Sequence, residues 1–338
     1  MKKFRMKTLI ITIVTVTTAV ALGLLCVLAS INSNSQLENK VNENMSTYLD
    51  AQTNAVEEFV ANSEQKLKLY AQNKIIADLI NENAADANTE LPAFNDETYN
   101  TKAYYTDNYP SYTAAQQYTM DYAATLGNWE GLYVGNLETR ILSYSVPPVI
   151  GRVLRPDPAK VKDLMDLMSA DLNGVYNAGI IVSPGTGQLC LSMYCPVLQD
   201  GKMIGYVGAG VFHSDLENLL TSFQLQGTSS SNFYMLNTST KITFTDTEVS
   251  ADQKDSVIAQ ETTRPVLLEV INQIGKTGDR GQFEFKDPNS GKTLMVNYKK
   301  VAGKDWALVI TATSPNFMRL RPRTSDLWSS SAWLPSPS

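Results

Sequence analysis

The sequence predicts an α+β chain in which one N-terminal transmembrane helix continues into a long helix carrying two tandem antiparallel sheets. Three observations predict it. Every position from Leu9 to Leu28 is apolar, Thr or Gly, with no charge. A stretch free of Gly and Pro follows, with apolar residues at helical spacing. Beyond it, strand and turn signals appear in two rounds of the same order.

The apolar run is long enough to cross about 30 Å of hydrocarbon at about 1.5 Å per residue. Lys2, Lys3, Arg5 and Lys7 precede it without an acid among them. Positive charge stays on the cytoplasmic side, so the chain after Ile31 is expected outside the cytoplasm, held to the cell membrane by a single pass. The alternative is a cleaved signal peptide ending near Val27-Leu28-Ala29, but signal h-regions are shorter, about 7–15 residues. A lipoprotein reading through Cys26 lacks a small residue at Leu24-Leu25.

Residues 32–314 hold 21 Lys+Arg against 33 Asp+Glu. That acidic balance argues against nucleic acid and anionic membrane surfaces as partners. Cys190 and Cys195, five apart on one predicted strand, point to opposite faces, so no disulfide is expected between them. His213 is the sole histidine, which removes most histidine metal sites and serine-type triads. No metal, cofactor or catalytic constellation is expected. The glycines of Gly205–Gly210 lack the Lys-Ser/Thr of a phosphate loop, and His213 with Asp215 reads as a strand end and helix start.

The long helix is expected over Asn32–Asn83. Leu37, Val41, Met45, Leu49, Val56, Phe59, Val60, Leu67 and Leu79 form its stripe. At about 78 Å it outreaches a small domain, so its lower half is expected to pair two copies, with burial by its own chain as the alternative. Residues 84–100 read as a loop, and Tyr112–Leu126 as a second helix. Glu130–Asn136 and Thr139–Ser145 read as strands, with Pro147-Pro148 ending the run. Asp157 is an N-cap candidate for a helix reaching Met168. Val175–Val182, Gln188–Val197 and Lys202–Phe212 are the next strands, and Ser214 caps a short helix. A linker at Gly227–Ser231 leads into the second round. That round has strands Phe233–Asn237 and Lys241–Phe244, a helix Pro265–Ile274, and strands Gly281–Phe285, Thr293–Lys299 and Trp306–Thr311.

Several stretches carry a family resemblance. They are Trp129-Glu-Gly-Leu-Tyr-Val-Gly-Asn136, Gly179-Ile-Ile-Val-Ser-Pro-Gly-Thr-Gly-Gln188, Met203-Ile-Gly-Tyr-Val-Gly-Ala-Gly-Val-Phe212 and the closing run from Gly291 to Ile310. With the long helix they resemble the double Cache (dCache) ectodomains of bacterial methyl-accepting chemotaxis proteins, over about residues 8–314. The resemblance implies two PAS-like Cache modules and an extracytoplasmic sensor of a small organic ligand, serving chemotaxis by transmembrane signal transduction. The same module on a histidine kinase or diguanylate cyclase is the alternative, and an exported membrane-anchored hydrolase a weaker one. The implied layout is a cytoplasmic N-terminus (1–7), a transmembrane helix (8–31), a stalk helix and loop (32–90), a membrane-distal module (91–223) and a membrane-proximal module (224–314). A disordered, atypical tail (315–338) stands where a second span belongs, as though the chain were truncated.

In amino-acid-binding members an Arg and aromatics of the distal module hold the carboxylate, and an Asp at the end of its last strand holds the amine. Arg152 and Arg155 follow the second strand here, but without the Arg-x-Trp-Tyr pattern, and Gly210 stands where the Asp falls. That favours an anionic ligand such as a small carboxylate, since Arg is its preferred partner. Candidate ligand-binding residues are Arg155, Arg152, Tyr144, Tyr176, Asn177 and Tyr133. Each has a bland alternative: solvated charge for the arginines, core packing for the tyrosines, Tyr194 included.

Overall fold

The computed structural model describes residues 2–86, 100–146, 149–184, 186–221 and 231–313. The expectations for Pro147-Pro148, for most of the 84–100 loop and the 227–231 linker, and for the tail from 315 lie outside the described residues.

Helix α1 runs unbroken over Lys2–Ala71. Its segment from Leu9 to Leu28 is exposed throughout, and the most apolar part of the helix has a mean hydropathy of 2.5. By length and composition it is able to cross a membrane. The helix ends earlier than Asn83. Asn73 is extended (φ −72, ψ 128) and its side chain accepts from Ile75 N, so it starts a second helix, α2 (Lys74–Ala85). An Asn side chain satisfying an orphan amide competes with helix continuation.

Two short helices, α3 (Asn100–Asn108) and α4 (Tyr112–Thr125), lead into the first sheet. Its strands are β1 (Trp129–Gly135), β2 (Ile141–Tyr144), β3 (Tyr176–Val182), β4 (Leu189–Gln199) and β5 (Lys202–Phe212), all antiparallel, in spatial order β2-β1-β5-β4-β3. Helix α5 (Pro158–Ser169) crosses between β2 and β3, and Asp157 caps it by accepting from Ala159 N. Helix α6 begins at His213, one residue before the expected Ser cap, and runs to Thr221.

The second sheet repeats the plan with β6 (Ser231–Asn237), β7 (Thr243–Asp246), β8 (Arg280–Lys286), β9 (Thr293–Lys300) and β10 (Trp306–Thr313), in order β7-β6-β10-β9-β8. Between β7 and β8 lie a 3-10 turn (Ala251–Gln253), α7 (Lys254–Val257) and α8 (Pro265–Thr277). The turn and α7 had no apolar period to announce them.

One face of α1 threads both modules together. Val41, Met45, Leu49, Val56, Val60 and Leu67 are each at most 3% exposed and share a core with Leu132, Met193, Met295 and Leu308. Asn297 Nδ2 also donates to Asn42 O at 3.3 Å. The stripe expected to pair two copies is therefore taken up by the chain's own sheets, with Leu37 at its margin. A helix lying across two sheets buries the same spacing that a coiled coil would use.

Candidate functional site

The first module holds a cavity of about 280 Å³ between its sheet and the segment joining β2 to α5. That joining segment is held like an extra strand. Ile141 N donates to Arg152 O at 2.9 Å and Leu154 N to Thr139 O at 3.0 Å. Arg155 N donates to Thr139 Oγ1 at 3.0 Å. These bonds fix Arg155 over the sheet, where Arg155 Nη2 donates to Tyr194 Oη at 2.9 Å and the guanidinium lies 5.1 Å from the Tyr194 ring centre. Arg155 is half-buried, and among the described residues no carboxylate pairs with it. Burial works against its charge, but the oxygens of Tyr194, Tyr133 and Tyr206 outweigh it and raise its pKa. Arg152 and Lys160 stand exposed at the rim.

Opposite in sign is Glu130 of β1. It is 9% exposed and lines the same cavity. Ser183 Oγ donates to Glu130 Oε1 at 2.7 Å, and among the described residues no Lys or Arg pairs with it. A buried carboxylate without a cation is costly. Its charge pushes up its neighbours after burial has done so: the Cys190 thiol to about 12, and the Tyr144 hydroxyl above its ordinary range. Cys190 is therefore a protonated wall, not a nucleophile.

The walls are aromatic. Tyr133 and Tyr144 meet edge to face with centroids 5.5 Å apart, and both line the cavity. Tyr133 lies flat across Gly208 of β5, where a Cβ would stand 2.2 Å from its Cζ. Of the six predicted residues, Arg155, Arg152, Tyr144 and Tyr133 line the cavity. Tyr176 and Asn177 do not. Tyr176 stacks on the outer side of Tyr194 at 6.0 Å and packs toward α5 with Leu164 and Met168. Asn177 turns away to α1, its Nδ2 donating to Glu64 Oε1 at 3.1 Å.

No protein-family description matches the chain, and no curated protein does. Solved structures do. The ligand-binding domain of the Campylobacter jejuni chemoreceptor Tlp3 in complex with L-valine has a TM-score of 0.53 at 17% identity, covering 83% of this chain and 95% of that one. The V. cholerae histidine kinase DctB sensor domain has a TM-score of 0.52 at 13% identity, covering 82% and 98%. The ligand-binding domain of the Pseudomonas fluorescens chemoreceptor CtaA in complex with L-isoleucine has a TM-score of 0.52 at 14% identity, covering 83% and 95%. The chain has the double Cache fold. At these identities the likeness is one of fold.

Within this Cache fold, Gly210 does not leave its end of the cavity without an acid. A Cβ on Gly210 would stand 2.7 Å from Glu130 Oε2 and 3.1 Å from Cys190 Sγ. The space that a side chain at 210 would enter already holds a carboxylate, supplied from β1 rather than β5. The absence of an acid at 210 thus gives no reason to exclude a positive group on the ligand. Period-two reading misses Glu130, because it sets residues 130 and 133 on opposite faces. A bulge between Trp129 and Gly131, where β1 shifts register against β5, breaks the alternation.

Proposed function

We propose that this chain is the ligand-binding sensor of a single-pass receptor, lying outside the cytoplasm and anchored by the apolar part of α1. Its ligand is a small organic molecule bearing a negative group, received in the first module. The observation that carries the reading is a cavity of about 280 Å³ faced by Arg155 and Glu130, neither of which has an oppositely charged partner among the described residues. A fold stabilised only from within pairs or neutralises such groups. Arg155, with Arg152 and Lys160 at the rim, meets the negative group through charge-assisted hydrogen bonds. Glu130 offers a place for a positive group on the same molecule. Chemotaxis is the favoured output, and a histidine kinase or cyclase output is the alternative, in keeping with the likeness to the DctB sensor domain. The lack of any cluster of metal-ligating side chains among the described residues is compatible with a binding role.

A homodimer remains part of this reading, on the face of α1 that points away from the sheets. Ala51, Asn54, Ala61, Gln65 and Leu69 are exposed there at helical spacing. Leu69→Arg with Ala61→Arg is expected to lower the sedimentation coefficient of the full chain in detergent.

The ligand is tested by melting the full chain in detergent with a panel of carboxylates, amino acids and amines, since a ligand bound only to the folded state raises Tm. Carboxylate-bearing compounds are expected to score, and Arg155→Ala to weaken them by about 2–5 kcal/mol in calorimetry. Glu130→Gln is expected to weaken only those with an added ammonium. Amines scoring without any carboxylate, or unchanged affinity in both Arg155→Ala and Arg152→Ala, would overturn the assignment.

A further inference from the structure

Strand β3 touches three parts of the molecule that lie far apart in sequence. Its end and the following turn, Ile181, Val182 and Ser183, wall the cavity. Near its start, Asn177 donates to Glu64 of α1, and the same Glu64 oxygen accepts from Lys304 Nζ at 2.6 Å, in the β9–β10 turn of the second module. Between these, Gly179 sits at φ +78 directly under the Phe244 ring of β7. A Cβ there would lie 2.3 Å from Phe244 Cζ, so only Gly fits both the conformation and the gap.

The strand is also hinged at that place. A bulge shifts its register against β4 between Asn177 and Gly179. Asn177 Oδ1 accepts from Gly179 N at 3.0 Å across the bulge. One amide therefore holds the bulge with its oxygen and the stalk with its nitrogen. Bulges bend a strand with the ladder already interrupted, so re-aiming there costs few backbone bonds. Beyond the contact there is no slack. Phe244 is fixed through its carbonyl by His213 Nε2 at 2.6 Å and through its ring by Trp306 at 5.2 Å.

We propose that β3 relays the state of the cavity to the second module, with Asn177 and Glu64 as positioning residues at the junction. A pull on Ser183 tilts β3 about its bulge. The tilt presses Gly179 on Phe244 and shifts the Asn177–Glu64–Lys304 bonds together, so the β9–β10 turn moves against α1. The relay goes beyond the sensor reading and needs no identified ligand, which allows the two to fail separately.

The experiment is a mutant cycle read by amide hydrogen exchange on the full chain in detergent micelles. Ser183→Ala disturbs the cavity end by removing the bond to Glu130. It is expected to change exchange at Ala302 and Lys304 by about 2- to 30-fold, the range that residues along a coupled network show. In an Asn177→Asp background, which keeps the acceptor for Gly179 N but loses the donor to Glu64, that change is expected to vanish. Glu64→Gln, which keeps an acceptor for Asn177 but loses the charge facing Lys304, should reduce it, and serves if Asn177→Asp fails to fold. Wild-type exchange at 302 and 304 in Ser183→Ala overturns the relay. So does a full-sized response that survives both backgrounds. A general loosening is recognised because it would raise exchange in β6 equally.

Discussion

The two modules share one strand order, yet treat their equivalent arginines in opposite ways. Arg155 and Arg264 both sit in the segment between the second strand of their sheet and the crossover helix. Arg155 faces a cavity and finds only tyrosines. Arg264 borders a cavity of about 330 Å³, but its Nε donates to Asp246, which has no exposed side chain, and its Nη1 to Glu248. The second module has paired its cation with its own carboxylates. Among the described residues the first has left one cation and one anion without an oppositely charged partner around a single space. Where the fold repeats, the difference in pairing separates a charge satisfied by the chain itself from one that, in the function proposed above, is left for a ligand.

The largest consequence falls on Arg264. Its truncation to Ala strands Asp246 without a cation, and breaking such a buried pair costs about 3–5 kcal/mol. Denaturant melts of Arg264→Ala are expected to lose that much, and a wild-type midpoint would erase the contrast. A smaller effect belongs to the junction between the modules. Burial lowers the pKa of His213, with Glu217 and Lys254 facing it. The folded state therefore resists its protonation. The stability it lends is full above about pH 6.5 and drains away as pH falls through the depressed folded value. With no second histidine in the chain, the Tm of wild type should drop between pH 7.5 and 5.5 by more than that of His213→Gln. Parallel curves would detach the junction from pH. The smallest effect is expected at Arg155 itself. Arg155→Ala removes a half-buried charge that no carboxylate among the described residues pairs with, so unliganded stability should move by under about 1 kcal/mol, while ligand affinity falls. A loss as large as that of Arg264→Ala would make the two arginines alike after all.

The architecture was legible because its signals are long. The uncharged run to Leu28 and the two rounds of strands separated by Asp200-Gly201, Gly291 and Gly303 turns carry period and punctuation over many residues. What escaped are features one or two residues wide. Asn73 starts α2 with a single side-chain bond, in a stretch whose apolar spacing continues past it. Asn177 and Glu130 each lie at a bulge, where the pleat loses its alternation and a period-two reading assigns the wrong face. Arg152 and Arg155 were singled out by residue type and by their place after the second strand, and both border the cavity. The stripe of α1 was found too, but a periodic apolar face says only that it is covered, not by what. Its cover is the chain's own two sheets.

The covered face of α1 carries a second regularity. Asp50 accepts from Arg280 and Lys299, Glu57 from Ala302 N, and Glu64 from Lys304. These acids recur every seven residues, about 10.5 Å apart along the axis, like teeth of a rack engaged with the second module. A shift of the β9–β10 turn against α1 is felt at Glu57 and Glu64, while Asp50 keeps Arg280 and Lys299 and holds the second module in register on the rod.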